Sequence, residues 1–151
     1  MADVAIVLDA NILIRFAIGR KVPRQLAAYA ATVDFLAPET AFVEAGRNLP
    51  TILRARGHTG IQETTTLAAL DAAADLITVV PASSYGPMRA AALARIGPRD
   101  PDDWLVLACA LLLNCPIWTD DRDFFGTGVA TWTTASVELY FSEPDAGSED
   151  H

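Results

Sequence analysis

The chain has 151 residues, 52% of them apolar and 20% charged, which fits a single domain with a sizeable core and excludes general disorder. Its longest unbroken apolar run, Trp104 to Leu113, is ten residues, short of the ~18 that mark a membrane helix. The formal net charge of −8 argues at first against a nucleic-acid partner, but acids and bases are sorted along the chain.

Val4 to Leu8 is a continuous apolar run rich in β-branched residues, the pattern of a strand buried on both faces of a parallel sheet. Asp9 follows at its carboxyl end, and Asn11 to Ile18 reads as helical. Pro23 to Ala31 is Ala-rich and helical, and Phe35 to Ala37 is a short strand. Thr40 is placed to cap a helix toward Leu49, with Pro50 breaking or restarting it. Gln62 to Asp75 is an Ala/Leu helix and Ile77 to Val80 an apolar strand. Tyr85 to Arg95 is helical and stopped by Gly97-Pro98. Asp100-Pro101 opens a helix through Asn114. Pro116 to Thr119 and Val129 to Thr133 read as strands, and Ala135 to Phe141 as a last helix. Strands separated by helices imply a three-layer α/β sandwich with a mostly parallel sheet, in which sites form beyond the carboxyl ends of strands.

Several carboxylates stand at such places. Asp9 follows a buried strand, where it can cap a helix or ligate a metal. Glu44 lies inside a helix, where most glutamates are simply solvated. Asp100, Asp102 and Asp103 suit the first turn of a helix. Yet the run after them is apolar all round, so that helix is buried and its acids sit at the mouth of the core. Periodicity does not choose between Asp102 and Asp103. Asp120, Asp121 and Asp123 follow the strand ending at Thr119. If these groups converge, each pair ~4 Å apart repels by about 4 kcal/mol at an effective dielectric near 20. Such a cluster takes up protons or binds cations. All-oxygen ligation selects Mg²⁺ or Mn²⁺, which suits phosphodiester hydrolysis. Zinc signatures, a P-loop and a credible Ser-His-Asp set are absent: the only histidines are His58 and His151.

Without the four acids after Ser142 and the eight clustered ones, seven acids face eleven bases. Seven of those bases lie between Arg15 and Arg56, so local charge admits a polyanion. Arg15, Arg20, Lys21, Arg47 and Arg54 are the candidate contacts to such a polyanion. Cys109 and Cys115 form no CxxC pair, and the start of the chain lacks the basic region of a signal peptide. The expectation is a protein of the reducing cytoplasm. Residues 1–142 are expected to form the domain, with 143–151 a disordered acidic tail.

Four segments resemble the PIN-domain nucleases, particularly the short toxins of the VapC type: Val7-Leu-Asp9-Ala-Asn11-Ile-Leu13, Phe42-Val-Glu44-Ala, Asp103 leading into Leu107-Ala-Cys-Ala110, and Pro116-Ile-Trp-Thr119-Asp-Asp121-Arg-Asp123-Phe124. The resemblance spans about residues 4 to 140. It implies a five-stranded parallel sheet between helices. It also implies a Mg²⁺- or Mn²⁺-dependent ribonuclease centre of Asp9, Glu44, Asp103 and Asp121. Asp9, Asp103, Asp121 and Asp123 would be the metal ligands, and Asn11 and Thr119 the supporting residues. Asp103, rather than Asp102, matches the family position. Toxins of this type pair with a small antitoxin and often form homodimers, so both are expected partners beside RNA. The rival readings are a non-catalytic PIN-like binding module, or a metal-dependent phosphatase or DNA nuclease using the same pocket.

Overall fold

The computed structural model describes residues 4–97 and 103–142. Strand β1 (Val4–Leu8) is central in a five-stranded sheet of order β3-β2-β1-β4-β5, in which every pairing is parallel. The other strands are β2 (Val33–Pro38), β3 (Ile77–Val80), β4 (Ile117–Trp118) and β5 (Thr131–Trp132). Between and after them run α1 (Ala10–Ile18), α2 (Lys21–Tyr29), α3 (Glu39–Ala55), α4 (Gly60–Ala72), α5 (Ala82–Tyr85), α6 (Arg89–Ile96), α7 (Trp104–Leu113) and α8 (Val137–Ser142). No helix among the described residues is long and apolar enough to cross a membrane.

The period-2 geometry of the strands sends alternate side chains to two separate cores. Ile6, Leu8, Phe35, Ala37 and Trp118 meet α1, α2, α3 and α8 on one face. Val7 and Ile117 meet the layer of Tyr85, Ala92, Ile96 and the α7 residues Val106 to Ala110 on the other. Helices therefore cover both faces, as the expected three-layer architecture requires. Because β1 is buried on both sides, its apolar run is continuous rather than alternating.

Several boundaries differ from the sequence reading, each for a local reason. Helix α3 starts at Glu39, with Pro38 in the cap position, and Thr40 does not cap it. The Thr40 hydroxyl instead bonds the hydroxyl of buried Tyr85 at 2.7 Å. Pro50 neither breaks nor restarts α3, which runs through it for 17 residues. An interior proline costs about 3 kcal/mol, but Ala41, Ala45, Leu49 and Leu53 recur at helical spacing on both sides of it and are all buried. That shared apolar stripe holds the two halves on one axis. The helix expected from Tyr85 to Arg95 is split into α5, a 3₁₀ turn at Gly86–Met88 and α6, around Pro87 with its missing N–H. Gly97, at φ +64°, does end α6. Asn114, in the left-handed region at φ 52°, ends α7. The cap expected at Asp100, Asp102 beside it, and the acidic tail at 143–151 all lie outside the described residues.

Candidate metal and active site

The carboxyl ends of β1 and β4, the first turns of α1 and α3 and the start of α7 meet at one place. Asp9, Asn11, Glu44, Asp103 and Asp121 line a single hollow there, together with Ala10, Ala41, Leu105 and Val106. The parallel sheet makes this unavoidable for Asp9 and the segment after Trp118. Leu8 pairs in register with Trp118, so the residues that follow both strands emerge side by side.

Asp9 is the buried member. It is the N-cap of α1, and its Oδ1 accepts the backbone N–H of Ile12 at 2.9 Å. Its Oδ2 accepts the hydroxyl proton of Thr119, which is fully buried at the end of β4. The Thr119 oxygen also accepts the N–H of Asp121 at 2.9 Å. Asp121 in turn accepts the N–H of Asp123 through Oδ1 at 2.9 Å. One short chain of hydrogen bonds thus sets Asp9, Thr119, Asp121 and Asp123 relative to one another. Burial raises the Asp9 pKa to about 6; the bonds from Thr119 and Ile12 oppose that rise, and the negative charges of Asp121 and Asp120 add to it.

Asp103, Asp121 and Asp123 each offer a carboxylate oxygen, and the three oxygens lie within 4.8 Å of one another. Three hard oxygen donors at that spacing suit a small divalent cation of the Mg²⁺ or Mn²⁺ type. Three of the four expected ligands are therefore gathered around one point. Asp9 lines the same hollow with both of its oxygens already in hydrogen bonds. Glu44 is exposed at its rim, one helical turn beyond the buried Ala41.

The expected basic residues divide. Asn11 and Asp121 also belong to an adjoining groove lined by Ile14, Arg15, Ile18, Ile52, Arg56 and Asp120. Arg15 and Arg56 continue from it into a second groove with Arg20 and Lys21. Arg15, Arg20 and Lys21 therefore stand along a path leading from the acids. Arg54 instead makes two hydrogen bonds to Glu63 of α4, at 3.2 and 3.3 Å, and Arg47 is exposed on α3. Arg56 is the groove residue that the candidate list lacks. Its only signal in the sequence is membership of the basic stretch between Arg15 and Arg56.

Known proteins bear on this arrangement. The family model of the PIN domain matches residues 7–142. A toxin-antitoxin complex from Klebsiella pneumoniae is similar in structure, with a TM-score of 0.59 at 20% identity, over 85% of this chain and 97% of that one. VapBC2 from Rickettsia felis, solved bound to a DNA fragment from its promoter, aligns with a TM-score of 0.63 at 12% identity, over 85% and 98%. No curated protein matches the chain. Likeness at these identities is a likeness of fold, and the family follows from the sequence match over nearly all the described residues: the chain belongs to the PIN domain family.

Proposed function

We propose that the protein is a metal-dependent endoribonuclease and the toxin of a toxin–antitoxin pair. The observation that carries this reading is the meeting of Asp9, Glu44, Asp103 and Asp121, from four distant stretches of sequence, in one hollow. The carboxylate oxygens of Asp103, Asp121 and Asp123 within 4.8 Å of one another support it. Both solved neighbours named above are toxin-antitoxin complexes, which favours a proteinaceous partner; RNA as substrate and a cytoplasmic setting complete the proposal. A homodimer is also expected of this type of protein.

Asp103, Asp121 and Asp123 would hold Mg²⁺ or Mn²⁺, with the Asp9 carboxylate adding negative charge from the wall of the same hollow. The bound ion supplies positive charge that offsets the acids and the developing negative charge of the reacting phosphate. Thr119 keeps Asp9 and the Asp121 backbone in register. Glu44, exposed at the rim, is available to orient an attacking water, and Asn11 offers a neutral amide to a phosphate oxygen. Arg15, Arg56, Arg20 and Lys21 give the strand a basic path away from the acids. No covalent nucleophile is required.

Cleavage assays on RNA, single-stranded DNA and a phosphomonoester, each with Mn²⁺ or with excess EDTA, test the reading. Cleavage of RNA with Mn²⁺, abolished by EDTA and by Asp9→Asn, is the expected result. Equal activity in EDTA overturns it, and preference for DNA or for the phosphomonoester replaces it with another hydrolase. An Asp9→Asn protein that still melts cooperatively ensures that lost activity is not lost fold.

A further inference from the structure

Asp120 is the acid that the site leaves over. It adjoins the cluster in sequence, yet it neither lines the acidic hollow nor belongs to the trio of converging carboxylates. Its oxygens are taken by three donors. Oδ1 accepts the backbone N–H of Thr134 at 2.8 Å, and Oδ2 accepts the Thr134 hydroxyl at 2.8 Å and Nη1 of Arg15 at 3.0 Å. Thr134 is itself fixed from behind. Its hydroxyl oxygen accepts Nε1–H of fully buried Trp118 at 3.1 Å, and its carbonyl accepts Nε2–H of buried Gln25 at 3.2 Å. Asp120 itself is exposed, but through buried Thr134 it is anchored to the core, and Arg15 is the side chain at its outer end. Arg15 is 54% exposed, and one ion pair uses few of the five N–H donors of a guanidinium. It stands one helical turn after Asn11, which lines the acidic hollow. Both line the groove that leads to Arg56.

We propose that Asp120 is a positioning residue, which holds Arg15 at the junction of the acidic hollow and the basic groove to meet the phosphate next to the one cleaved. This rests on the endoribonuclease reading above. Two physical effects oppose each other here. Removing an acid from a polyanion-binding face tightens binding if net charge alone matters. If Asp120 matters by holding Arg15, removing it weakens binding, because the freed side chain must be ordered when RNA arrives.

The test uses the full chain, a single-stranded RNA substrate in Mn²⁺, and a separate titration with Mn²⁺ alone. Asp120→Asn is expected to raise KM about fivefold, with kcat falling by less and Mn²⁺ affinity retained. Arg15→Ala leaves the bonds between Asp120 and Thr134 in place and trims a mostly exposed side chain, so it keeps the test open should Asp120→Asn fold poorly. It is expected to raise KM similarly, and the double variant no further than either single change. An unchanged or lowered KM in both single variants, or additive losses in the double variant, overturns the proposal. Loss of Mn²⁺ affinity in Asp120→Asn also overturns it, by making Asp120 a ligand. Wild-type protein that cleaves RNA beside unaffected variants sinks the positioning role alone. Wild-type protein that neither binds nor cleaves RNA sinks the nuclease reading, and the positioning role with it.

Discussion

Thr119 donates its hydroxyl proton to Oδ2 of Asp9, and so ties the carboxyl end of β4 to that of β1. With the same oxygen it accepts the N–H of Asp121 at 2.9 Å. Thr119→Val keeps the shape and removes both bonds, leaving a buried carboxylate oxygen and a peptide N–H short of a partner. The expected cost is about 1–3 kcal/mol of stability, read from urea denaturation, with a fall in RNA cleavage. Thr119→Ser keeps the hydroxyl and is expected to stay near wild type in both. Equal stability for the Val and Ser variants would show that the link is dispensable.

The raised pKa of Asp9 makes a prediction with a definite sign. Burial favours the protonated form in the folded state, so folding takes up a proton between the ordinary value of 3.8 and about 6. The contribution of this group is fully favourable below pH ~4 and is lost as the pH rises through about 6. At about 1.4 kcal/mol per unit the loss is of the order of 3 kcal/mol. Asp9→Asn keeps a good helix cap and removes the titration. In EDTA, the stability of the variant relative to wild type is expected to climb between pH 4 and 6.5 and then level off. Thermal melts across that range measure it, and taking the difference cancels carboxylates common to both proteins. A flat difference contradicts the assignment.

Strand β1 and Asp9 were legible because a run buried on both faces shows itself without any long-range information, and the residue after such a strand emerges at the sheet edge. After β4 the same reasoning brought an acidic segment to the sheet edge, but only the family resemblance singled out Asp121 from Asp120 beside it. Pro50 misled because local chain chemistry favours a break, whereas packing of Leu49 and Leu53 into the core decides the outcome. Thr40 looked like a cap only until Tyr85, far along the chain, supplied it with another partner. The basic residues were the least legible part. Arg54 and Arg56 are equivalent in sequence. Only the packing of α3 against α4 shows that the first is spent on Glu63 and the second lines the groove. Asp120 has the same history, since its partner Thr134 lies 14 residues away and Arg15 stands on α1, far away in sequence.

Arg56 and Arg54 therefore provide an internal comparison. Arg56→Ala is expected to weaken RNA binding several-fold and to reduce the dependence of log K on log salt by about one unit. Arg54→Ala is expected to leave both nearly unchanged, at a stability cost below about 1 kcal/mol for its exposed ion pair. Fluorescence anisotropy with labelled RNA at several salt concentrations, using an Asp9→Asn background to prevent cleavage, separates them. Equal effects of the two substitutions would mean that the groove does not guide the strand.

The central claim is that carboxylates from remote parts of the chain share a divalent ion. Calorimetric titration of metal-free protein with Mn²⁺, wild type against Asp121→Asn, addresses it most directly. Saturable binding by wild type, reduced at least tenfold by the substitution, is the outcome this account predicts. No binding to wild type, or the same isotherm for both proteins, would contradict it.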